Sequence, residues 1–151
     1  MISVKVDAGD FDKTMATLIS NLDDKSAALT ASGAIIKESS RYNFTVGGRP
    51  DKWTPSKRVQ EQGGQTLRGK TGILMNSIDA QTPTPNGIIV GTNVKYAATH
   101  QYGAAAGQFG KSKKGLKIPW GTIPARPFMV VQTEDVEDIK EIFEKSVMKD
   151  V

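Results

Sequence analysis

Residues 63–72 read GGQTLRGKTG. Within them Gly64, Gly69, Lys70 and Thr71 satisfy a phosphate-loop pattern: a glycine, four free positions, then Gly-Lys-Thr. Fold class turns on whether that match is real. A phosphate loop needs a buried strand before it and a helix starting at its Lys-Thr, so that backbone N–H groups converge on a phosphate. The residues before Gly64 are TPSKRVQEQG, in which Val59 is the only aliphatic side chain. A central parallel strand would be a near-continuous apolar run. Gly72, directly after Lys70-Thr71, weakens a helix start. An apolar strand ending in aspartate, which would hold magnesium, is also missing; the nearest stretch, GIIVGTN, ends in Gly-Thr-Asn. The match therefore reads as an accident in a Gly- and Lys-rich loop.

Outward from that loop the pattern is mixed rather than alternating. Upstream, Ile2, Val4 and Val6 alternate with polar residues and predict a short strand. Asp10 is placed to cap a helix bearing Phe11, Met15, Leu18, Ile19 and Leu22 on one face. Asp23 or Asp24 can cap a second helix, which carries Ala27, Ala28, Ala31, Ala34, Ile35 and Tyr42. An irregular stretch follows from 45 to about 71. Pro50 and Pro55 bracket Trp53, and a tryptophan in such a loop serves to pin it to the core.

Downstream, residues 75–80 lead into a strand, 82–87 form a turn and 88–90 a second strand, together an antiparallel hairpin. Residues 93–101 suit a short helical turn with Tyr96, Ala97 and His100 facing inward. Residues 103–117, GAAAGQFGKSKKGLK, cannot build a core and form a long basic loop. Three prolines punctuate an extended segment ending at residues 128–131. Thr133 can cap a last helix with Glu134 and Asp135 in its first turn and Val136, Ile139, Ile142, Phe143 and Val147 as its buried stripe. The expected class is α+β: a small antiparallel sheet packed by N-terminal helices and a C-terminal helix, with long loops.

Composition narrows the chemistry. A chain of 151 residues suits one domain. It has no cysteine, which excludes disulfides and zinc–thiolate sites, and a single histidine, His100. A metal site would draw nearly all its ligands from carboxylates, so no metal or cofactor is expected. No apolar run approaches the roughly 20 residues of a membrane span. The N-terminus has no apolar core of signal-peptide length, so a soluble protein made in a cytoplasm is expected.

Net charge is +4, unevenly spread. Residues 41–70 hold seven Lys/Arg against two Asp/Glu, 103–117 hold four lysines and no acid, and 134–150 hold seven acids against three lysines. A basic middle and an acidic end allow copies of the chain to pair, although solvated charged faces explain the same counts. No G-x-S-x-G elbow accompanies His100, which reads as a buried, hydrogen-bonded structural residue rather than a catalytic base. Arg126, between Pro124-Ala125 and Pro127, reads as a stiff position pairing with a carboxylate.

Taken together, GGRPDKWTPSKR, LRGKTGILMNSI, GIIVGTNVKYAATHQYGA and IPARPFMV resemble the virion morphogenesis, or tail-completion, family of Mu-like and P2-like phages. The resemblance runs from about Ala8 to Phe143. Its marks are Trp53, Leu67 with Thr71-Gly72-Leu74, Ser77-Ile78, Val90-Gly91-Thr92, Tyr96-Ala97 with His100 and Gly103, and Pro124-Ala125-Arg126-Pro127-Phe128. It implies one tail-completion-like domain over residues 1–151 and a non-enzymatic virion protein that completes the tail end or neck and lets heads and tails join. It further implies a ring, often hexameric, around the DNA channel, with neck, connector, tail-tube or tail-terminator proteins as neighbours.

No family role is carried onto residues 103–117. Their own composition suggests a loop that orders on assembly, with Phe109, Lys111, Lys113, Lys114 and Lys117 meeting either a neighbouring protein or, without reading sequence, the phosphates of genomic DNA. Two rival classes are a sequence-independent DNA-binding module, whose affinity would fall steeply with salt, and a nucleotide-binding protein whose magnesium-dependent binding Lys70→Ala would abolish. The first lacks an aromatic stacking stripe and a basic recognition helix.

Overall fold

The alanine-rich stretch becomes the axis of the fold. In the computed structural model, which describes residues 9–108 and 121–150, the elements run α1 (Gly9–Asp23), α2 (Ser26–Val46), α3 (Lys57–Gln62), α4 (Ile73–Asn76), β1 (Asp79–Ala80), β2 (Val90–Gly91), α5 (Ala97–Tyr102) and α6 (Thr133–Val147). The α+β class holds. The strand expected at residues 2–6 lies outside the described residues.

Helix α2 begins after Lys25, and the Asp24 carboxylate accepts from the Ser26 N–H (3.2 Å) and hydroxyl (2.6 Å). Its buried face is Ala28, Ser32, Gly33, Ser40, Asn43 and Phe44. Of the residues the sequence placed along this helix, Ala28 is buried, Ala31 and Ile35 are half-buried, and Ala27, Ala34 and Tyr42 are exposed. The helix outlasts its expected end at residue 45, because Gly47 closes it in the left-handed conformation with its N–H on the Asn43 carbonyl at 2.9 Å.

One side of α2 carries α6, and α1 lies against α6. Asn21 of α1 donates to the carbonyls of Val147 (2.9 Å) and Lys149 (2.7 Å), which satisfies acceptors left over at the end of α6. The other side of α2 carries the hairpin, antiparallel with Asp79 opposite Gly91 and Ala80 opposite Val90. The helices therefore stack on one another, and α2 alone among the long helices covers the sheet. Thr133 does not cap α6; Gln132 does, in a capping box with Asp135, whose carboxylate accepts the Gln132 N–H at 2.8 Å. Val136 is 51% exposed, and Ile139, Ile142, Phe143 and Val147 form a half-buried stripe.

The core gathers Phe44, Trp53, Leu74, Ile78, Ala97 and Phe128. Phe44 meets Trp53 edge-on at 5.6 Å and Phe128 at 5.2 Å. The Trp53 indole N–H donates to the Pro127 carbonyl at 3.0 Å, so the Gly/Pro loop is pinned to the core as its tryptophan implied.

Residues 123–131 form no regular strand. Pro124 and Pro127 lack N–H groups, and side chains replace a ladder. The Gln101 amide accepts from the N–H groups of Phe128 (3.0 Å) and Met129 (3.1 Å) and donates to the Met129 carbonyl (3.1 Å). Asn43 donates to the Phe128 carbonyl at 2.9 Å.

Residues 63–72 lie between two helices. The segment before them forms α3 and no strand, and turns fill residues 66–71. Gly72 has φ 61° and its carbonyl accepts the Asn76 N–H, starting the four-residue α4. The left-handed conformation suits glycine there. Lys70 and Thr71 are exposed, and no buried strand aims this loop at a phosphate.

Candidate functional site

Three of the residues singled out in the sequence, Tyr96, His100 and Arg126, meet at one open groove of about 990 Å³. One wall is the stretch from Thr54 through the start of α3, where the Ser56 hydroxyl oxygen accepts the Val59 N–H at 3.4 Å and caps the helix. The opposite wall is α5, and the floor is residues 121–126.

Arg126 is 6% exposed. Its backbone N–H donates to the His100 carbonyl at 2.7 Å and its Nε to the Thr54 carbonyl at 2.9 Å. The expected carboxylate partner is replaced by that carbonyl. The proline-stiffened segment places the guanidinium against the loop that Trp53 anchors, where no acid is among the described lining residues. Burial pushes its pKa below the ordinary guanidinium range, yet a guanidinium keeps its proton in proteins. The terminal nitrogens remain available to the groove.

His100 is half-buried, and its Nδ1 is buried without a hydrogen-bond partner. The expectation of a fully hydrogen-bonded histidine is thus corrected. Burial first, and the Arg126 charge second, hold its pKa below 6.5, so the ring is neutral at pH 7. Tyr96 does not face inward as expected. It is 47% exposed and presents its ring edge-on to His100 at 5.8 Å, forming the groove's rim. Lys57 and Arg58 complete that rim, and among the described residues no carboxylate lines the groove. Among the described residues no acid orients the imidazole as in a triad. It offers three cations, a neutral imidazole and apolar proline and isoleucine surface, which suits an anionic, partly apolar occupant.

A second cluster went unread in the sequence. Arg49 donates from Nε to Asn43 Oδ1 (2.8 Å), from Nη2 to the Ser39 carbonyl (2.9 Å) and hydroxyl (2.6 Å), and from Nη1 to Glu134 (2.9 Å). Its guanidinium lies 5.0 Å from the Tyr42 ring centroid. The Ser39 hydroxyl in turn donates to Asp135 at 2.7 Å. This arginine ties α2, the loop after it and the start of α6 into one unit. The only local signal for it is an arginine directly after the Gly-Gly that ends a helix. Trp53 and Gly72 lie in the core and at α4, away from the groove. Phe109, Lys111, Lys113, Lys114 and Lys117 lie outside the described residues.

Fold and groove together define a small α+β scaffold with one cation-lined groove. The chain belongs to the phage virion morphogenesis family, whose model matches residues 6–148. It is also similar to the Mu-like prophage FluMu G protein 2 of Haemophilus influenzae, with 42% identity over 99 residues. That alignment covers 66% of this chain and 61% of the relative, so the chain spans less than two thirds of that protein's length. No solved structure matches the chain.

Proposed function

We propose that this morphogenesis protein is a structural, non-enzymatic part of the virion that completes the tail end or neck and permits heads and tails to join. Copies of it form a ring, hexameric in the simplest arrangement, around the DNA channel. Neck or connector proteins lie on one side, and tail-tube or tail-terminator proteins on the other. It is made in the bacterial host cytoplasm. Among the described residues no helix is long and apolar enough to cross a membrane.

The observation that carries this reading is the unfinished surface of the subunit. Met15, Ile19 and Leu22 follow one stripe of α1 and are all exposed. Stripes of this kind on a small protein mark contact surfaces. Acid is concentrated in α6 while cations dominate residues 41–70, which supports head-to-tail contacts that close by rotation. Membership of a virion morphogenesis family supports the virion setting. Lys111, Lys113, Lys114 and Lys117 then face a neighbouring protein, or genomic DNA without sequence reading.

The test is electron microscopy of lysates from the encoding phage or prophage with the gene deleted. Complete heads and separate tails are expected, and joined particles should return with the gene supplied in trans. Joined particles in the deletion lysate would refute the proposal.

A further inference from the structure

The groove at Arg126 suits a negatively charged occupant, and none of the described residues fills it. Arg126 is nine-tenths buried, with one nitrogen on Thr54 and the rest of its guanidinium lining the groove. Lys57 and Arg58 stand on the rim, and among the described residues no carboxylate lines the groove to compensate any of the three. Among the described residues Arg58 bonds the Gln65 carbonyl, at 2.8 Å, and no carboxylate. A cluster of cations without a counter-charge raises the local potential and selects an acidic partner.

The same chain carries the complement. On the outer face of α6, Glu137 and Glu144 are exposed and make no ion pair among the described residues, whereas Glu134 pairs with Arg49 and Glu141 with Lys145. Glu137, Glu141 and Glu144 recur at helical spacing, with exposed Met148 next along the stripe. No residue of α6 lines the groove. Groove and acidic face are therefore two different patches of one surface, as a heterologous, ring-closing contact requires.

We propose that the groove receives the acidic outer face of α6 from a second copy of this chain, with Glu137 and Glu144 meeting Arg58, Lys57 and Arg126, and Met148 covering the apolar part beside Tyr96. This contact rests on the ring reading above and specifies its interface. The buried guanidinium gains a carboxylate acceptor, and each subunit offers one groove and one helix, so the contact propagates until the ring closes.

The absence of cysteine allows a direct test. Arg58→Cys and Glu144→Cys chains are supplied together to a deletion lysate, and a short bismaleimide is added to the assembled tails. A cross-linked dimer joining the two variants is expected, with no dimer when either variant is supplied alone. In parallel, Lys57→Glu/Arg58→Glu and Glu137→Lys/Glu144→Lys chains are compared with the chain carrying all four changes. All four positions are exposed, so folding should persist, as circular dichroism will check.

Each double reversal should lower the yield of joined particles by roughly tenfold or more, and the four-fold swap should recover most of it, as expected for coupled charge pairs. Joining by the reversed α6 chain at the wild-type level, or no recovery by the swap, would overturn the inference. So would a cross-link from Arg58→Cys to another virion protein in place of a second copy. Normal joining with no chain present would instead defeat the parent reading, which keeps the two failures distinct.

Discussion

Replacing Arg49 with alanine should unfasten the start of α6 from α2. The loss can be worked from the contacts. Asn43 is fully buried, and its Oδ1 loses a charged donor at 2.8 Å; the Ser39 carbonyl loses another at 2.9 Å. A buried acceptor left unpartnered costs about 1–3 kcal/mol. Arg49 is itself 20% exposed, so water can follow the truncated side chain inward, which puts the two acceptors together at about 2–3 kcal/mol. The Glu134 bridge, 61% exposed on the acid's side, adds less than about 1 kcal/mol. Stacking on the exposed Tyr42 adds about 0.5–1 kcal/mol. The sum is roughly 3–4 kcal/mol, or about a 10 °C fall in Tm for a domain of this size. Urea and thermal unfolding followed by circular dichroism measure it directly. Glu134→Gln should cost under about 1 kcal/mol in the same assay, and Arg49→Lys should recover less than half the loss, because an ammonium cannot serve the directions a guanidinium fork serves. A loss below about 1 kcal/mol for Arg49→Ala, or full rescue by lysine, would refute the hub assignment.

Trp53→Phe should keep the edge contact with Phe44 but lose the bond to Pro127, costing about 1–2 kcal/mol, while Trp53→Ala should cost about 3–5 kcal/mol. No loss for Trp53→Phe in denaturant melts would show that the indole N–H contributes nothing. Gly103 has φ +77°, and an added Cβ would lie 2.8 Å from both the Ala125 nitrogen and the Ile123 oxygen, so Gly103→Ala should destabilise by at least about 2 kcal/mol. A neutral outcome would mean that the bridge between Ala104 and Ile123 shifts freely. His100 has a folded pKa below its unfolded 6.5, so on acidification the unfolded chain takes up this proton first. Stability should therefore fall as pH drops below 6.5, and the group should contribute no slope above it. His100→Gln should remove that part of the slope in melts between pH 5.5 and 8, and parallel curves for the two proteins would contradict the assignment. Lys70 is exposed in a turn, so Lys70→Ala should change stability by less than about 0.5 kcal/mol, and magnesium-ATP should not bind either protein; saturable nucleotide binding lost with Lys70 would revive the phosphate-loop reading.

What the sequence revealed was what local chemistry encodes. Helical spacing located α1, α2 and α6. The Gly/Pro setting of Trp53 foretold an anchored loop, and the polar approach to residues 63–72 ruled out a strand before the Gly-Lys-Thr. The errors arose where tertiary partners decide. Whether Thr133 or Gln132 caps α6 depends on Asp135, which the Ser39 hydroxyl of α2 holds in place. Which alanines of α2 face inward depends on where α6 and the hairpin sit. Arg49 is a hub only because residues 39, 43 and 134 converge on it, and no sequence period links those positions. Tyr96, His100 and Arg126 were noticed singly. Their meeting at one groove required α5 to lie against an extended segment that side chains, rather than a strand ladder, hold in place.

The proposed role, a multi-copy structural part at the head-facing end of the tail, can be tested on the virion itself. The most direct measurement is cryo-electron microscopy of tails purified from a lysate in which the chain carries a small terminal tag, with a gold-labelled antibody to place it. Label at the upper end of every tail, over ring density with cyclic symmetry into which α2, α6 and the hairpin fit, is the expected result. Mature particles free of the chain, or label scattered along the tail or confined to its far end, would contradict it.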